Sequence, residues 1–369
     1  MYVAFKEIRR SLGRFSLLTS AVALLVLLLL FFQAVAGTLT TGLTGGLESS
    51  SADVLVYDEQ ARRNPATSIV ERTVQARVAA AADVVATSPI GLSVFAATTD
   101  GAEIDVQLVG GDVTGPFFPA DVADGQRPQA RGQALFSGSS FDDPIKIGQL
   151  VTVEGVKLKV VGTADDAAFN VLPTLYVPFE DYVEASQTRA GAPIEVSPSL
   201  IGVTVADGAD PEVVARSLTA SIGGIEALER SAAVDALPGV STITQSFSIL
   251  YLLLYLVVAI VTGVFFLILT VQKESALVLL RAVGASSRDL IGSVLIQALV
   301  VVGLGTVIGS AVTAALLALT RDAFGATLSP ADTARTVGVI VVLGLLASLG
   351  AVRRVLAVDP VNATTTRGI

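Results

Sequence analysis

The sequence predicts an α-helical membrane protein with four transmembrane helices and a large extracytoplasmic α+β domain between helices 1 and 2. Three observations carry that expectation. Of the 369 residues, 52% are hydrophobic, and the mean hydropathy is +0.71, well above what a soluble globular domain needs. The excess is concentrated in charge-free runs at 16–44, 246–271, 290–318 and 336–352, each long enough to cross the hydrocarbon core. Charge is also unevenly distributed: segments 1–15, 272–289 and 353–369 hold ten Lys and Arg against four Asp and Glu, whereas 38–245 holds 12 basic and 27 acidic residues. The loop 319–335 holds two of each. Because basic residues near span ends are retained in the cytoplasm, both termini are expected there, in the cell membrane, with one acidic domain outside.

Residues 1–15 precede the first run and place Phe5, Ile8, Leu12 and Phe15 on one helical face, with Lys6, Arg9, Arg10 and Arg14 free to reach headgroups. That pattern predicts an amphipathic helix lying on the inner membrane surface. A basic start, an apolar stretch and Ala34-Val35-Ala36 also describe a cleavable leader. The apolar stretch from Leu17 to Ala36, however, exceeds the 7–15 residues of a signal core, and three more spans follow. An uncleaved anchor over 16–44 is therefore expected.

The outer domain, 45–240, is entered through a Gly/Thr/Ser-rich exit over 37–50, "GTLTTGLTGGLESS", after which comes a short strand-like run, "ADVLVYDE". "SIVERTVQARVAAAADVV" has the apolar spacing of a helix, with Ile69, Val70, Val74 and Val78 at helical intervals. Strand patterns follow in "IGLSVFAATT", "EIDVQLVGG", "LVTVEGVKLKVVGTA" and "TLYVPF". Two alternating runs around Glu154-Gly155 predict a hairpin with a tight turn. "DPEVVARSLTASIG" returns to a helical pattern, with Asp210 as N-cap and Pro211 at the first helical position. The stretch "VTGPFFPADVADGQRPQARG" reads as a Pro/Gly-rich loop. It either exposes Phe117-Phe118 to a substrate or pins both rings into the domain's own core.

Much chemistry is excluded by what the chain lacks. It has no histidine and no cysteine, and the initiator is its one methionine. The usual catalytic triads, thiol dyads and histidine- or thiolate-based zinc sites cannot be assembled from it, and no metal site is expected. There is no G-x-x-x-x-G-K-[ST] to cradle nucleotide phosphates. Acidic pairs at Asp142-Asp143 and Asp165-Asp166 read as solvated turns more readily than as acid/base or hard-cation sites. An acidic outer surface also argues against nucleic acid as a partner.

Between the second and third spans, 272–289 contains "KESALVLLRAVGASSRD". Gly284 suits a helix end, and Ser286-x-x-Asp289 suits the capped start of the next helix. Residues 273–283 then form a short helix with Leu277, Leu279, Leu280 and Val283 apolar and Lys273, Glu274 and Arg281 polar. Such a helix lies on the membrane surface or in the groove of a partner protein. In the third span, Gly305 and Gly309 form a small-xxx-small face that lets a neighbouring helix approach closely; Gly303 lies beside them.

"KESALVLLRAVGASSRDLI" resembles the signature of the FtsX/MacB-type permeases of ABC transporters: a basic residue, an apolar helix, Leu-(Arg/Lys)-Ala-(Ile/Val/Leu)-Gly-Ala, a polar pair, and the next span. "FKEIRRSLGRF" resembles that family's helix before span one, "KIGQLVTVEGVKLKVVG" its outer-domain hairpin, and "RRVLAVDPVNA" its closing motif after span four. Within the family, "VVAIVTGVFFLILTVQKESALVLLRAVGAS" is most similar to the DevC/HrtB-like branch, which includes haem exporters. The resemblance implies a homodimeric permease that binds no cofactor itself and works with two copies of a cytoplasmic ABC ATPase, where ATP and Mg are bound. It makes Lys273, Glu274, Leu277, Leu280, Arg281 and Gly284 the ATPase-coupling segment. It also implies an exported or extracted hydrophobic or amphipathic substrate, haem, lipid or peptide-like, handled at the outer leaflet. Haem ligation would fall to Tyr or carboxylate. Tyr251 and Tyr255, at i and i+4 in span two, are the candidate pair, unless they are an interfacial aromatic belt. The rival implication is an FtsX-like signal transducer controlling an extracytoplasmic protein partner such as a cell-wall hydrolase. A membrane-anchored enzyme has little support without a nucleophile–base set.

Overall fold

A computed structural model describes residues 12–138, 145–272, 287–320 and 328–356. Its contacts divide the chain into two units, one of 1–35, 246–321 and 326–369, the other of 36–245 and 322–325.

Four helices in the described residues are long and apolar enough to cross a membrane. They are α1 (Leu12–Glu48) and, later in the chain, Val240–Gln272, Ser287–Leu319 and Pro330–Leu356. Helix α1 has 37 residues and so runs roughly 55 Å at 1.5 Å per residue. The first span, expected to end at 44 within the Gly/Thr/Ser-rich stretch 37–50, continues as helix to Glu48.

The outer domain consists of two lobes that share one long strand. Its elements are β1 (Val54–Asp58), α2 (Arg72–Ala79), β2 (Val84–Thr99), β3 (Ala102–Gly111), β4 (Asp124–Gly125), β5 (Gln133–Ser137), β6 (Leu150–Val153), β7 (Val156–Thr163), β8 (Thr174–Pro178), α3 (Phe179–Ala190), β9 (Leu200–Val205), α4 (Pro211–Ser221), β10 (Ile225–Glu229) and α5 (Arg230–Asp235). The remaining helices are then α6 (Val240–Gln272), α7 (Ser287–Leu319) and α8 (Pro330–Leu356).

In the first lobe the strand order is β10-β1-β9-β2. Helices α2 and α4 cover one face, where Val74, Val78, Val214 and Leu218 meet Val54, Val56, Ile201 and Val203. Helix α4 begins as its sequence predicts, with Asp210 Oδ1 accepting from the Glu212 amide at 3.0 Å and Pro211 at the first position. Helix α2 is shorter than its apolar pattern. The Ser68 hydroxyl instead accepts from the Asp58 amide, the Val70 amide donates to Pro198 O, and Asp83 at φ 63° turns the chain into β2. The outer edge of β10 is blunted by α4, whose Thr219 hydroxyl accepts from the Ala227 amide at 2.9 Å. An edge strand left open there would invite pairing with another chain.

The second lobe closes on itself. Strand β2 pairs with β3, β3 with β8, β8 with β5, β5 with β7, β7 with β6, and β6 again with β2. Its interior is filled by Phe95, Val106, Leu108, Phe136, Val151, Val153, Leu158 and Val160, all buried. The β6–β7 hairpin turns at Glu154 (φ 45°) and Gly155 (φ 86°), the two left-handed residues of a tight hairpin turn. A third cluster joins the lobes, with Leu55, Tyr57, Ile90, Leu135 and Tyr176 packed around Leu47 at the end of α1.

In the membrane unit, α1 packs at its N-terminal end on α6, where Phe15 meets Phe265 edge-on at 6.4 Å and the Arg14 guanidinium donates to Gln272 Oε1. Towards the middle of its length, α1 reaches α8 through a Thr336–Gln33 hydrogen bond of 3.0 Å. Helix α6 starts at Val240, six residues before the expected span, and α8 starts at Pro330 rather than 336.

Candidate functional site

Three places in the described chain bear on function: a close helix seam in the membrane unit, the grip of the outer domain on the end of α1, and a cleft between α2 and α3.

The seam forms where Gly305 and Gly309 of α7 face α1. A Cβ at Gly305 would lie 2.7 Å from Val22 Cγ1, and one at Gly309 would lie 2.6 Å from the Ala23 carbonyl oxygen. Glycine is needed there because only a bare Cα lets the backbones come so near. Gly303 has nothing within 4 Å of an added Cβ and takes no part. The close partner of the small-residue face is thus this chain's own first helix. Tyr251 lies on α6, its ring against Phe247 at 6.0 Å and its hydroxyl donating to Phe32 O of α1 at 3.4 Å. Tyr255 is partly buried and packs with the same bundle cluster. The phenolic oxygen of Tyr251 therefore already serves a helix contact.

The grip was not foreseen from the sequence. The Gly46 amide donates to Ala168 O at 2.9 Å, and the Val171 amide donates to Gly42 O at 2.8 Å. Gly42 O and Gly46 N are the acceptor and donor that one helical turn brings together, so the loop 166–171 inserts its own backbone into the helix's hydrogen-bonding pattern. The glycines make room for it: a Cβ on Gly45 would stand 2.3 Å from Asp166 O, and one on Gly46 would stand 1.8 Å from the Phe169 ring. The loop itself is conformationally costly, with Asp166, Asn170 and Val171 at φ 51°, 54° and 58°. A β-branched residue in that region is an outlier that persists only when its surroundings hold it.

Phe117 and Phe118, which the sequence left as either an exposed pair or two rings pinned into the core, are both fully buried. Phe117 stacks on Phe169 at 6.1 Å and Phe118 tilts against Tyr176 at 5.7 Å. The exposed alternative is overturned, since the two rings fill the core behind the grip, and Phe117 adopts φ 135° to reach it.

The cleft between α2 and α3 encloses about 710 Å³. Its charged lining is Arg72, Arg131, Glu180 and Glu184. Arg131 donates from Nε to the buried Asp181 at 3.1 Å and also pairs with Glu184, while the Gly132 amide donates to Asp181 at 2.7 Å. The Asp181 hydrogen bond and its charge hold the Arg131 guanidinium above its usual range. Arg72 donates to Val196 O at 3.1 Å. Both cations are thus satisfied within the domain, and the cleft carries no nucleophile–base set. Nearby, burial pushes the Asp112 carboxyl up, and the Glu180 charge adds to the effect. Among the described residues, no three acidic side chains converge on a metal site. Asp165 and Asp166 are exposed turn residues.

The coupling residues Lys273, Glu274, Leu277, Leu280, Arg281 and Gly284 lie outside the described residues, as do Ser286, the pair Asp142-Asp143 and the first eleven residues.

Comparison with known proteins agrees along the chain. Residues 15–221 match the family described as MacB-like periplasmic core domain, and residues 248–360 match FtsX-like permease C-terminal. An uncharacterized ABC transporter permease of Mycobacterium tuberculosis is 28% identical over 291 residues, covering 78% of this chain and 77% of that one. HrtB of Staphylococcus haemolyticus, named as a candidate hemin transport system permease, is 25% identical over 142 residues, 38% of this chain and 40% of that one. The periplasmic region of MacB from Actinobacillus actinomycetemcomitans aligns with a TM-score of 0.39 and 12% identity, covering 50% of this chain and 92% of that one.

Proposed function

The chain belongs to the ABC transporter permeases of the FtsX/MacB type, and from that premise we propose that it relays the ATP-driven motion of a separate ATPase to its outer domain. There it exports or extracts a hydrophobic or amphipathic substrate at the outer leaflet. Membership implies a membrane and a partner ATPase. Our reading adds a homodimer with two ATPase copies, both termini in the cytoplasm, and ATP and Mg held by the ATPase alone. Contact with the ATPase is assigned to Lys273–Val283, ended by Gly284.

The observation that carries this reading is α1. One helix, unbroken from Leu12 to Glu48, carries the membrane-crossing stretch at one end and at the other is hydrogen-bonded into the loop 166–171 of the outer domain. A displacement of such a helix is transmitted along its hydrogen-bonded length instead of being absorbed by a linker. The charge-free runs 16–44, 246–271, 290–318 and 336–352 also favour a substrate that avoids a polar channel. Haem, lipid and peptide remain the substrate classes. Tyr251 and Tyr255 are the residues to examine for haem, although the Tyr251 hydroxyl is engaged by Phe32 O.

The test uses the permease with its ATPase in lipid nanodiscs. Hydrogen exchange of 166–171 is compared between nucleotide-free and ATP-bound states, before and after a flexible Gly-Ser insertion between Ala36 and Gly37. Protection that changes with ATP, and stops changing after the insertion although ATP is still hydrolysed, is the expected result. A change that survives the insertion overturns the relay. Stimulation of ATP hydrolysis by haem, phospholipid or peptide then names the substrate class. Stimulation by none of them, with dependence on an outer protein, favours the signal transducer.

A further inference from the structure

The β6–β7 hairpin has two different faces. Inward, Val151, Val153, Val156, Leu158 and Val160 are buried in the ring. Outward, the strand register sets Leu150 beside Lys159 and Thr152 beside Lys157. Both lysines are exposed, as is Lys146 in the lead-in. Leu150 is 49% exposed and Ile147 is 47% exposed.

This face is unusual in its domain. Segment 38–245 has 12 basic residues against 27 acidic ones, and Lys146, Lys157 and Lys159 are all of its lysines. Most of its arginines are used internally. Arg63, Arg72, Arg131 and Arg216 are in ion pairs, Arg127 donates to Pro119 O and Ala120 O, and Arg189 lies over the Phe95 ring at 4.1 Å. None of the ion pairs among the described residues uses a lysine. Lysine is thereby confined to this hairpin and its lead-in, where it lies with two large exposed aliphatic side chains; Arg62 and Arg77 are exposed elsewhere on the domain.

We propose that the outward face of β6–β7, with Lys146 and Ile147, is a docking surface for a separate extracytoplasmic protein that presents an acidic surface with an apolar centre. Charge complementarity selects that partner. The acidic remainder of the domain repels such a surface and orients it towards the lysines, which raises the rate of productive encounter. Leu150 and Ile147 set the occupant apart from a simple anion: desolvated aliphatic side chains supply the anchor, and the lysines form a rim that confers salt dependence. A face two strands wide buries little area, which fits a transient contact. The inference is independent of the substrate proposed above.

The probe is a labelled peptide of alternating Glu and Leu, with an all-Glu peptide beside it, titrated by fluorescence anisotropy against the full chain in zwitterionic nanodiscs. The expected result is salt-sensitive binding of the Glu-Leu peptide. Lys157→Gln combined with Lys159→Gln should weaken it about tenfold, in line with the loss of two rim charges. Leu150→Ser should weaken it at every salt concentration. These substitutions sit on the solvent side of the hairpin, and an unchanged melting temperature verifies the fold. Absence of binding, or binding that ignores both variants, overturns the proposal. Equal binding of the all-Glu peptide, insensitive to Leu150→Ser, replaces it with a simple anion site. Displacement of the peptide by phosphatidylglycerol vesicles replaces it with a lipid surface. A photocrosslinker at position 150 that joins two copies of this chain replaces it with a self-contact.

Discussion

The amide of Gly46 lies 2.9 Å from the carbonyl oxygen of Ala168, and that bond ties the last turn of a membrane helix to a loop 122 residues further along the chain. Its counterpart, Val171 N to Gly42 O at 2.8 Å, closes the same turn from the other side. Two backbone bonds between strained and glycine-rich segments resist sliding in a way that a purely apolar contact does not.

Gly46→Ala tests this joint directly. The added methyl would stand 1.8 Å from the Phe169 ring, so either the ring or the helix must move, at a cost of about 1–3 kcal/mol. Gly37 lies in the same helix with nothing within 4 Å of an added Cβ, and Gly37→Ala should be neutral or stabilising by up to about 1 kcal/mol. Thermal unfolding of the two variants in nanodiscs compares them. Equal melting temperatures would show that the grip contributes nothing.

The seam between α1 and α7 gives a second matched pair. Gly309→Ala pushes a methyl to 2.6 Å from the Ala23 carbonyl, whereas Gly303→Ala meets nothing. The first should destabilise the bundle by about 1–3 kcal/mol, and the second should leave it unchanged. Because the contact is within one chain, the permease–permease association measured by mass photometry should be unaffected in both. Loss of association in Gly309→Ala alone would mean that the face serves a second copy.

Asp112 predicts a pH dependence. Burial, with a contribution from Glu180, raises its carboxyl above the ordinary value of 3.8. A raised carboxyl favours the protonated form in the folded state, so its contribution to stability is fully present below pH 3.8 and is lost as pH rises through the higher folded value. Asp112→Asn should therefore be more stable than the parent at neutral pH, and the advantage should vanish towards pH 3.8. Melting temperatures of both proteins measured across that range check the sign, and a constant difference would refute it.

The coupling segment gives the last prediction, which rests on sequence. Leu277→Ala with Leu280→Ala removes apolar anchors, and Arg281→Ala removes a rim charge. Truncating an anchor at an interface costs on the order of 2 kcal/mol or more, a rim charge usually less. Co-purification of the ATPase should fall much further in the double variant than in Arg281→Ala. Full association in the double variant would place this helix at the lipid surface instead.

Hydrophobic runs, charge asymmetry and alternation were sufficient to locate four spans, an outer α+β domain and the β6–β7 hairpin, because span length and strand alternation are local properties of the chain. The Asp210 cap of α4 was legible for the same reason, since Asp, Pro and Glu in that order satisfy the first amides wherever the helix is placed. Helix α3 was legible but overlooked: Glu180 and Asp181 begin it, Arg189 is in its last turn, and Gly191 closes it at φ 66°. Other features were not written locally. "GTLTTGLTGGLESS" reads as flexible by composition, and only the arrival of Asp166, Phe169 and Val171 against Gly45, Gly46 and Gly42 makes its glycines contact surfaces in a helix. Phe117 and Phe118 sit in a stretch rich in Pro and Gly, and their burial depends on Phe169 and Tyr176, more than fifty residues away in the sequence. Small and aromatic residues acquire their roles from whichever backbone packs against them, and that choice belongs to the tertiary structure.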